Sequence, residues 1–292
     1  MKFGLFLGCN TPALRPDVER AIRLTMPKLG VELVDLEGYV CCPAFGTFPS
    51  TDEDSHLAVS GWNLSLAEQK GLDLLVECGS CYSSLRMGRE LILHDEKRRA
   101  RVNELLQPSG RSVEGKTKVR HITDVLYNDV GVEAIAKNID KPLEGMHAVV
   151  QYPCHTLFPK ELVGFDSPPA RPHIMRDLVE ALGAKVDSFS REYQCCGGAG
   201  GFHGTSATEA REFARSKFDA IKKETQADFI VVSCITCLMF LDNVQKELSN
   251  GNGEYNIPVF DYNQVLALCM GCDPKQVAPI CTVSRDSVIA KL

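Results

Sequence analysis

DLLVECGSC (residues 73–81) and DFIVVSCITC (residues 228–237) decide the reading of the fold. Each is a short apolar run closed by a C-x-x-C pair, the pattern of a buried strand running into a turn or helix start. Working outward, the surroundings of the two stretches match. Upstream lie adjacent cysteines, Cys41-Cys42 and Cys195-Cys196, each preceded by a strand-like stretch, VELVDLEGYV or AKVDSFSREYQ. Further upstream the apolar runs KFGLFLGCN and HAVVQYPCH reach Cys9 and Cys154. Downstream, VRHITDVL from Val119 parallels VFDYNQVL from Val259. Helical patterns fill the gaps. One pair ends at Leu29-Gly30 and Leu182-Gly183, with Gly in the stop position. A second pair covers residues 57–70 and 207–224. The chain is a duplication. Strands alternating with helices imply mainly parallel sheets. The expected fold is α/β, with two pseudo-symmetric parallel-sheet repeats at residues 1–140 and 141–292. Segment 95–118 is polar and charged and reads as a solvated helix and loop.

Composition narrows the function. Hydrophobic residues make up 44% and charged residues 24%, as in a soluble globular protein. A net charge of -6 gives no basic field for nucleic acid. No apolar stretch is long enough to span a bilayer, and the opening MKFGLFLGCNTP lacks an export signal, so the cytoplasm is the expected compartment. There, clustered thiols bind metal or do redox work rather than form bridges.

Ten of the thirteen cysteines fall into two matching sets: Cys9, Cys41, Cys42, Cys78, Cys81 and Cys154, Cys195, Cys196, Cys234, Cys237. All follow expected strands. In an open α/β sheet the carboxyl ends of the strands share one edge, so distant thiols converge there. A C-x-x-C at a helix start adds a dipole that favours thiolate, the ligand form for zinc and for iron–sulfur clusters. Four sulfurs suit tetrahedral zinc or a cube-shaped cluster, and five exceed both. Structural zinc remains the alternative at each site, although it usually pairs two short C-x-x-C knuckles and each repeat has one.

These residues resemble the cysteine-rich "CCG" domain, and the chain from LGCN to the MGCDP segment is similar to the B subunits of heterodisulfide reductase. The resemblance implies a non-cubane [4Fe-4S] cluster on each set of five cysteines. It also implies an oxidoreductase acting on a mixed disulfide of the coenzyme M–coenzyme B type, bound between the clusters. Two related activities carry the same pattern: an oxidative complex acting on thiols or persulfides, and an anchoring subunit of a succinate or fumarate reductase with zinc at one site. The chain has no flavin motif and no C-x-x-C-x-x-C-x-x-x-C-P run. Electrons are therefore expected from a ferredoxin-like C subunit and a flavin-carrying A subunit. One departure stands out: the second set reads Cys195-Cys196-Gly197, the first Cys41-Cys42-Pro43. Proline removes a backbone donor, so the loop there is expected to differ.

Other residues read according to their neighbourhoods. The loop GGAGGFHG offers Gly197, Gly198, Gly200 and Gly201 to wrap a cluster or an anionic substrate. His155, next to Cys154, is a candidate acid for a thiolate product, or a hydrogen-bond donor to cluster sulfur. His203 has a weaker case. His56, His94, His121, His147 and His173 read as structural, and Phe45 and Trp62 as packing. Cys269, Cys272 and Cys281 read as buried small hydrophobes. Asp52, Glu53 and Asp54 read as the charged start of a helix.

Overall fold

The computed structural model describes residues 1–168, 171–198, 202–249 and 253–292. The first repeat runs β1 (Lys2–Phe6), α1 (Pro16–Thr25), β2 (Glu32–Asp35), α2 (Glu53–Glu68), β3 (Asp73–Val76), α3 (Gly79–His94), α4 (Glu96–Leu106), β4 (Val119–His121) and α5 (Ile122–Val125). The second runs β5 (His147–Gln151), α6 (Ile174–Glu180), β6 (Lys185–Val186), α7 (Ala207–Glu224), β7 (Phe229–Val232), α8 (Ile235–Leu248), β8 (Val259–Asp261) and α9 (Tyr262–Cys269). Each repeat forms a four-stranded, all-parallel sheet, in the orders β2-β1-β3-β4 and β6-β5-β7-β8. The expected class and the duplication both hold. The central strands are apolar along their length because helices cover both faces. Leu74, Leu75 and Val76 in β3 match Ile230, Val231 and Val232 in β7, all buried.

Local sequence explains most boundaries. Asp52 caps α2, accepting from Ser55 N at 3.0 Å, so the helix starts ahead of residue 57 and the acidic run sits at its N-terminus as expected. The strand expected over 184–194 shrinks to Lys185–Val186. Beyond it side chains take over backbone hydrogen bonds: Glu224 accepts from Ser190 N at 2.6 Å, and Lys217 Nζ donates to Arg191 O. Segment 95–118 is less solvated than its composition suggests. Asn103 clamps Val113 through two hydrogen bonds, of 2.8 and 3.1 Å, and Val102, Leu106 and Val113 are buried.

The repeats interlock. After each last strand the chain crosses over to pack on the other repeat's first long helix: α9 lies on α1, and α5 lies against α6. A buried ionic knot secures the first crossing. Arg15 makes a bidentate pair with Asp17, at 3.0 and 2.9 Å. Gln264 Nε2, from α9, donates to the same carboxylate at 2.6 Å, and Arg285 Nη1 lies 3.9 Å from it. On the other side Tyr127 donates to Asp177 at 3.0 Å. One apolar core runs through both repeats. Among the described residues no helix is long and apolar enough to cross a membrane.

Asp17 is 3% exposed and serves two buried guanidinium groups. Asp17→Ala leaves the buried Arg15 without its ion partner, while Asp242 still faces Arg285, and is expected to destabilise the protein by about 3–5 kcal/mol. Urea unfolding checks this, and a loss below about 1 kcal/mol would contradict it.

Candidate active site: ten thiols in one line

Cys78 and Cys234 stand at the N-caps of α3 and α8, one residue beyond the glutamate or serine that follows β3 or β7. Cys81 and Cys237 follow in the first turn of each helix. The two helix N-termini face each other across the repeat boundary, and the Sγ atoms of Cys78 and Cys234 are 3.6 Å apart. Close approach depends on Gly79. A Cβ there would lie 2.8 Å from Pro153 Cβ and 3.6 Å from Cys234 Cβ.

From this meeting point the thiols extend outward in the same order in both repeats. Cys78 contacts Cys81, and Cys81 contacts Cys42 with 2.9 Å between sulfurs. Cys41 then bridges Cys42 and Cys9. On the other side Cys234 contacts Cys237, Cys237 contacts Cys196, and Cys195 bridges Cys196 and Cys154. The sequence-predicted cysteines thus form one continuous line, with buried thiols at its centre. Its outer end is exposed at Cys9 and Cys41 and half-buried at Cys154 and Cys195.

Neighbouring thiols donate to one another, and this sets their protonation. The neighbouring thiols Cys41 and Cys81 pull Cys42 down to about 5, and Cys154 and Cys196 pull Cys195 down to about 2. The donors Cys41 and Cys154 are pushed up in turn. In the second repeat two amides assist: Gly197 N donates to Cys195 Sγ at 3.3 Å, and Gly198 N to Cys196 Sγ at 3.4 Å. Gly197 has φ +97°, and a Cβ there would meet Ala210 O at 2.7 Å, so glycine is required twice over. Gly200 and Gly201 lie outside the described residues. In the first repeat Pro43 holds the place of Gly197 and offers no amide.

Five sulfurs per repeat, with no carboxylate or imidazole between them, form a soft donor set that fits iron–sulfur clusters or zinc. Among the described residues no three metal-ligating side chains surround a single point as one ion requires. The sulfurs are strung out in contact. A cavity of about 210 Å3 opens on all five thiols of the first set. A linear donor array beside such a space fits a multi-iron group better than one tetrahedral ion. The cavity continues into a groove of about 320 Å3. Asn10, Gly198 and Thr236 line both spaces, and Phe240, His203 and Glu247 lead to the surface.

His155 stands on the turn after Cys154 with its ring packed on Phe45 from the first repeat, and its Nδ1 is buried without a partner. Burial pulls it down to about 4, so the imidazole is neutral at neutral pH. The matching residue of the first repeat is Asn10, which faces the groove. His203 packs its ring 5.0 Å from Phe240. Cys269 is buried at the end of α9 and Cys272 half-buried, but Cys281 is exposed, in a surface depression of about 610 Å3 that holds none of the ten thiols. The expectation of a buried Cys281 fails because the chain beyond α9 buries Val277, Ala278, Arg285 and Val288 and leaves the stretch around Cys281 outside.

Sequence reasoning missed several neighbours of the line. His56, read as structural, is buried beside Cys42 with Nε2 3.0 Å from Ser84 Oγ. Glu77, just before Cys78, is fully buried against Asp261 of the second repeat, and Thr11 Oγ1 donates to it at 3.5 Å. The faint signal for Glu77 was an acidic residue closing an apolar strand where the second repeat has Ser233. Lys217 is buried behind Cys195 and Cys196.

Duplicated, built of thiols and set at the carboxyl edges of two parallel sheets, this is a cysteine-rich α/β architecture. The cysteine-rich domain (CCG) family matches residues 3–86 and 148–242. A protein of Archaeoglobus profundus described as like the B subunit of heterodisulfide reductase is 42% identical over 100% of this chain and 98% of its own length. The B subunit of the ferredoxin/F(420)H(2)-dependent CoB-CoM heterodisulfide reductase of Methanosarcina acetivorans is 35% identical over 94% and 91%. The chain belongs to the cysteine-rich domain family, among the B-type subunits of heterodisulfide reductases, and so to an oxidoreductase lineage. A hypothetical protein from Helicobacter pylori shares the fold, with a TM-score of 0.72 over 94% of this chain and 50% of that one, at 14% identity.

Burial, then the Asp261 charge, raises the Glu77 carboxyl well above its usual range. The folded state then holds a proton that the unfolded chain releases above about pH 4.3. Unfolding therefore releases a proton at higher pH, and stability falls as pH rises through that window. Glu77→Gln cannot titrate and is expected to flatten the decline between about pH 5 and 8 in urea unfolding. Equal slopes for the two proteins would contradict the buried proton.

Proposed function

We propose that this chain is the disulfide-cleaving subunit of a heterodisulfide-reductase-type complex, with one non-cubane [4Fe-4S] cluster in each of repeats 1–140 and 141–292. Cys9, Cys41, Cys42, Cys78 and Cys81 would hold one, and Cys154, Cys195, Cys196, Cys234 and Cys237 the other. The observation that carries this reading is the single line of ten thiols, built in the same order from both ends and meeting at Cys78 and Cys234. When bound, the two clusters would supply one electron each to a bond that needs two.

The chain's own residues do the rest. The groove from Glu247 to Asn10 leads a small disulfide of the coenzyme M–coenzyme B type toward the first thiol set, with Phe240 and Met239 as apolar wall and Asn10 and Thr236 as polar contacts. Reductive cleavage of R–S–S–R′ consumes two electrons and two protons and yields two thiols. His155, neutral and beside Cys195, would serve as a proton relay, taking a proton on one ring nitrogen as it gives one up from the other. Exposed Cys9 and Cys41 give a short path for electrons from a docked ferredoxin-like subunit, itself fed by a flavin subunit. The reading places the complex in the cytoplasm.

The test is iron, acid-labile sulfide and zinc per chain on protein purified without oxygen, followed by viologen-linked reduction of a mixed disulfide. About eight iron and eight sulfide, with turnover, are expected. About four iron with one zinc would overturn the paired reading and favour an anchoring role with zinc at one site.

A further inference from the structure

Resting on the two-cluster reading above, we propose that Lys217 is a buried cation that holds the second repeat's cluster at a higher reduction potential than the first's. The two sites then take electrons in a fixed order, second repeat before first.

The placement of Lys217 is well defined. Helix α7 lies along the segment that carries Cys195 and Cys196. Lys217 Nζ donates to Arg191 O, and Ser216 Oγ donates to Gln194 Oε1 at 3.4 Å. Ala210 O closes on Gly197. Lys217 is 0% exposed, and its ammonium lies 5.3 Å from the Phe189 ring. Among the described residues no carboxylate pairs with it. The buried Glu192, whose charge reaches Lys217, is itself engaged by Arg176 at 3.2 Å. A buried lysine without a direct ion pair is rare, because desolvation of the charge is then only partly offset. Its charge acts on Cys196, Cys237 and Cys195, and a negatively charged group on those sulfurs supplies the missing partner. Burial lowers the ammonium only to about 8, so it remains a cation at neutral pH.

Among the described residues, no such charge faces the first set of thiols. The buried group facing Cys42 is His56, which burial lowers toward the neutral form. Glu77 lies near Cys78 and Cys234 alike and does not separate the sites. Hydrogen bonding points the same way as Lys217. Gly197 and Gly198 donate to two sulfurs of the second set, while Pro43 cannot donate to the first. Both a nearby cation and N–H···S bonds favour the more negative, reduced cluster and so raise its potential. Water works in the opposite sense, since Cys9 and Cys41 are the more exposed thiols. A cation in the low-dielectric interior acts more strongly than screening by solvent at a rim.

The experiment is a potentiometric titration followed by EPR on the iron-loaded wild-type chain and on Lys217→Met, Lys217→Arg and Pro43→Gly. Wild type is expected to show two separate waves. Lys217→Met should lower the upper wave by at least tenfold in its reduction equilibrium, about 59 mV for one electron, and leave the lower wave in place. Lys217→Arg, which keeps the charge, should leave both. Pro43→Gly, which adds an amide beside Cys41, should raise the lower wave alone and so assign it to the first repeat. Wild-type waves that coincide, Lys217→Met shifting neither wave or the lower one, or Pro43→Gly shifting the upper one, would overturn the inference. The wild-type and Pro43→Gly titrations decide it even where Lys217→Met does not fold. A chain that binds only one cluster would instead overturn the two-cluster reading.

Discussion

The contact between Cys78 and Cys234 organises the rest of the structure. Two parallel sheets, each ending a central strand in a C-x-x-C helix start, have been brought nose to nose so that two helix N-termini share one small space. That arrangement concentrates positive dipole where thiolate is needed. It also imposes costs that the surrounding residues meet. Gly79 lets the backbones approach, and Pro153 fills the gap opposite. Burial and the neighbouring Asp261 charge favour the protonated form of Glu77. The crossing helices α5 and α9 tie the repeats together, and a loose joint would separate the sulfurs. The Arg15–Asp17–Gln264 knot is therefore part of the site's construction, although it touches no thiol.

Duplication gives the two thiol sets the same order, and the departures from symmetry give them different surroundings. Pro43 stands where Gly197 stands, Asn10 where His155 stands, and no counterpart of Lys217 faces Cys42. The first set opens to a groove and to solvent. The second is backed by a cation and amide donors and capped by the Phe45–His155 contact. A two-electron bond acted on by two equal one-electron sites needs no ordering. On the two-cluster reading proposed above, these differences would build an order in.

Much of this was legible in the sequence because thiols are few and their spacing repeats. The doubled pattern around Cys78 and Cys234 specified the parallel sheets, the duplication and the ten cysteines that converge. Strand and helix patterns say that a face is buried, but not which element covers it, so the crossing of α9 onto α1 was invisible. The same limit hid Lys217 and His56: a polar residue on a helix reads as solvated until a neighbour closes over it. Strand β6 is shorter than its pattern implies because Glu224 and Lys217, distant in sequence, satisfy the backbone that a strand partner would have paired. Cys281 reads as a small buried hydrophobe, but residue type cannot tell which positions of a packed tail turn inward, as Val277 and Val288 do, and which turn out.

The central claim is that two separate cluster sites touch through Cys78 and Cys234. Pulsed EPR on the iron-loaded chain, poised so that both sites are paramagnetic, tests it most directly. The account predicts strong spin–spin interaction between the two centres, lost when Cys234→Ser empties or displaces one of them. Two independent signals with no mutual broadening would contradict it.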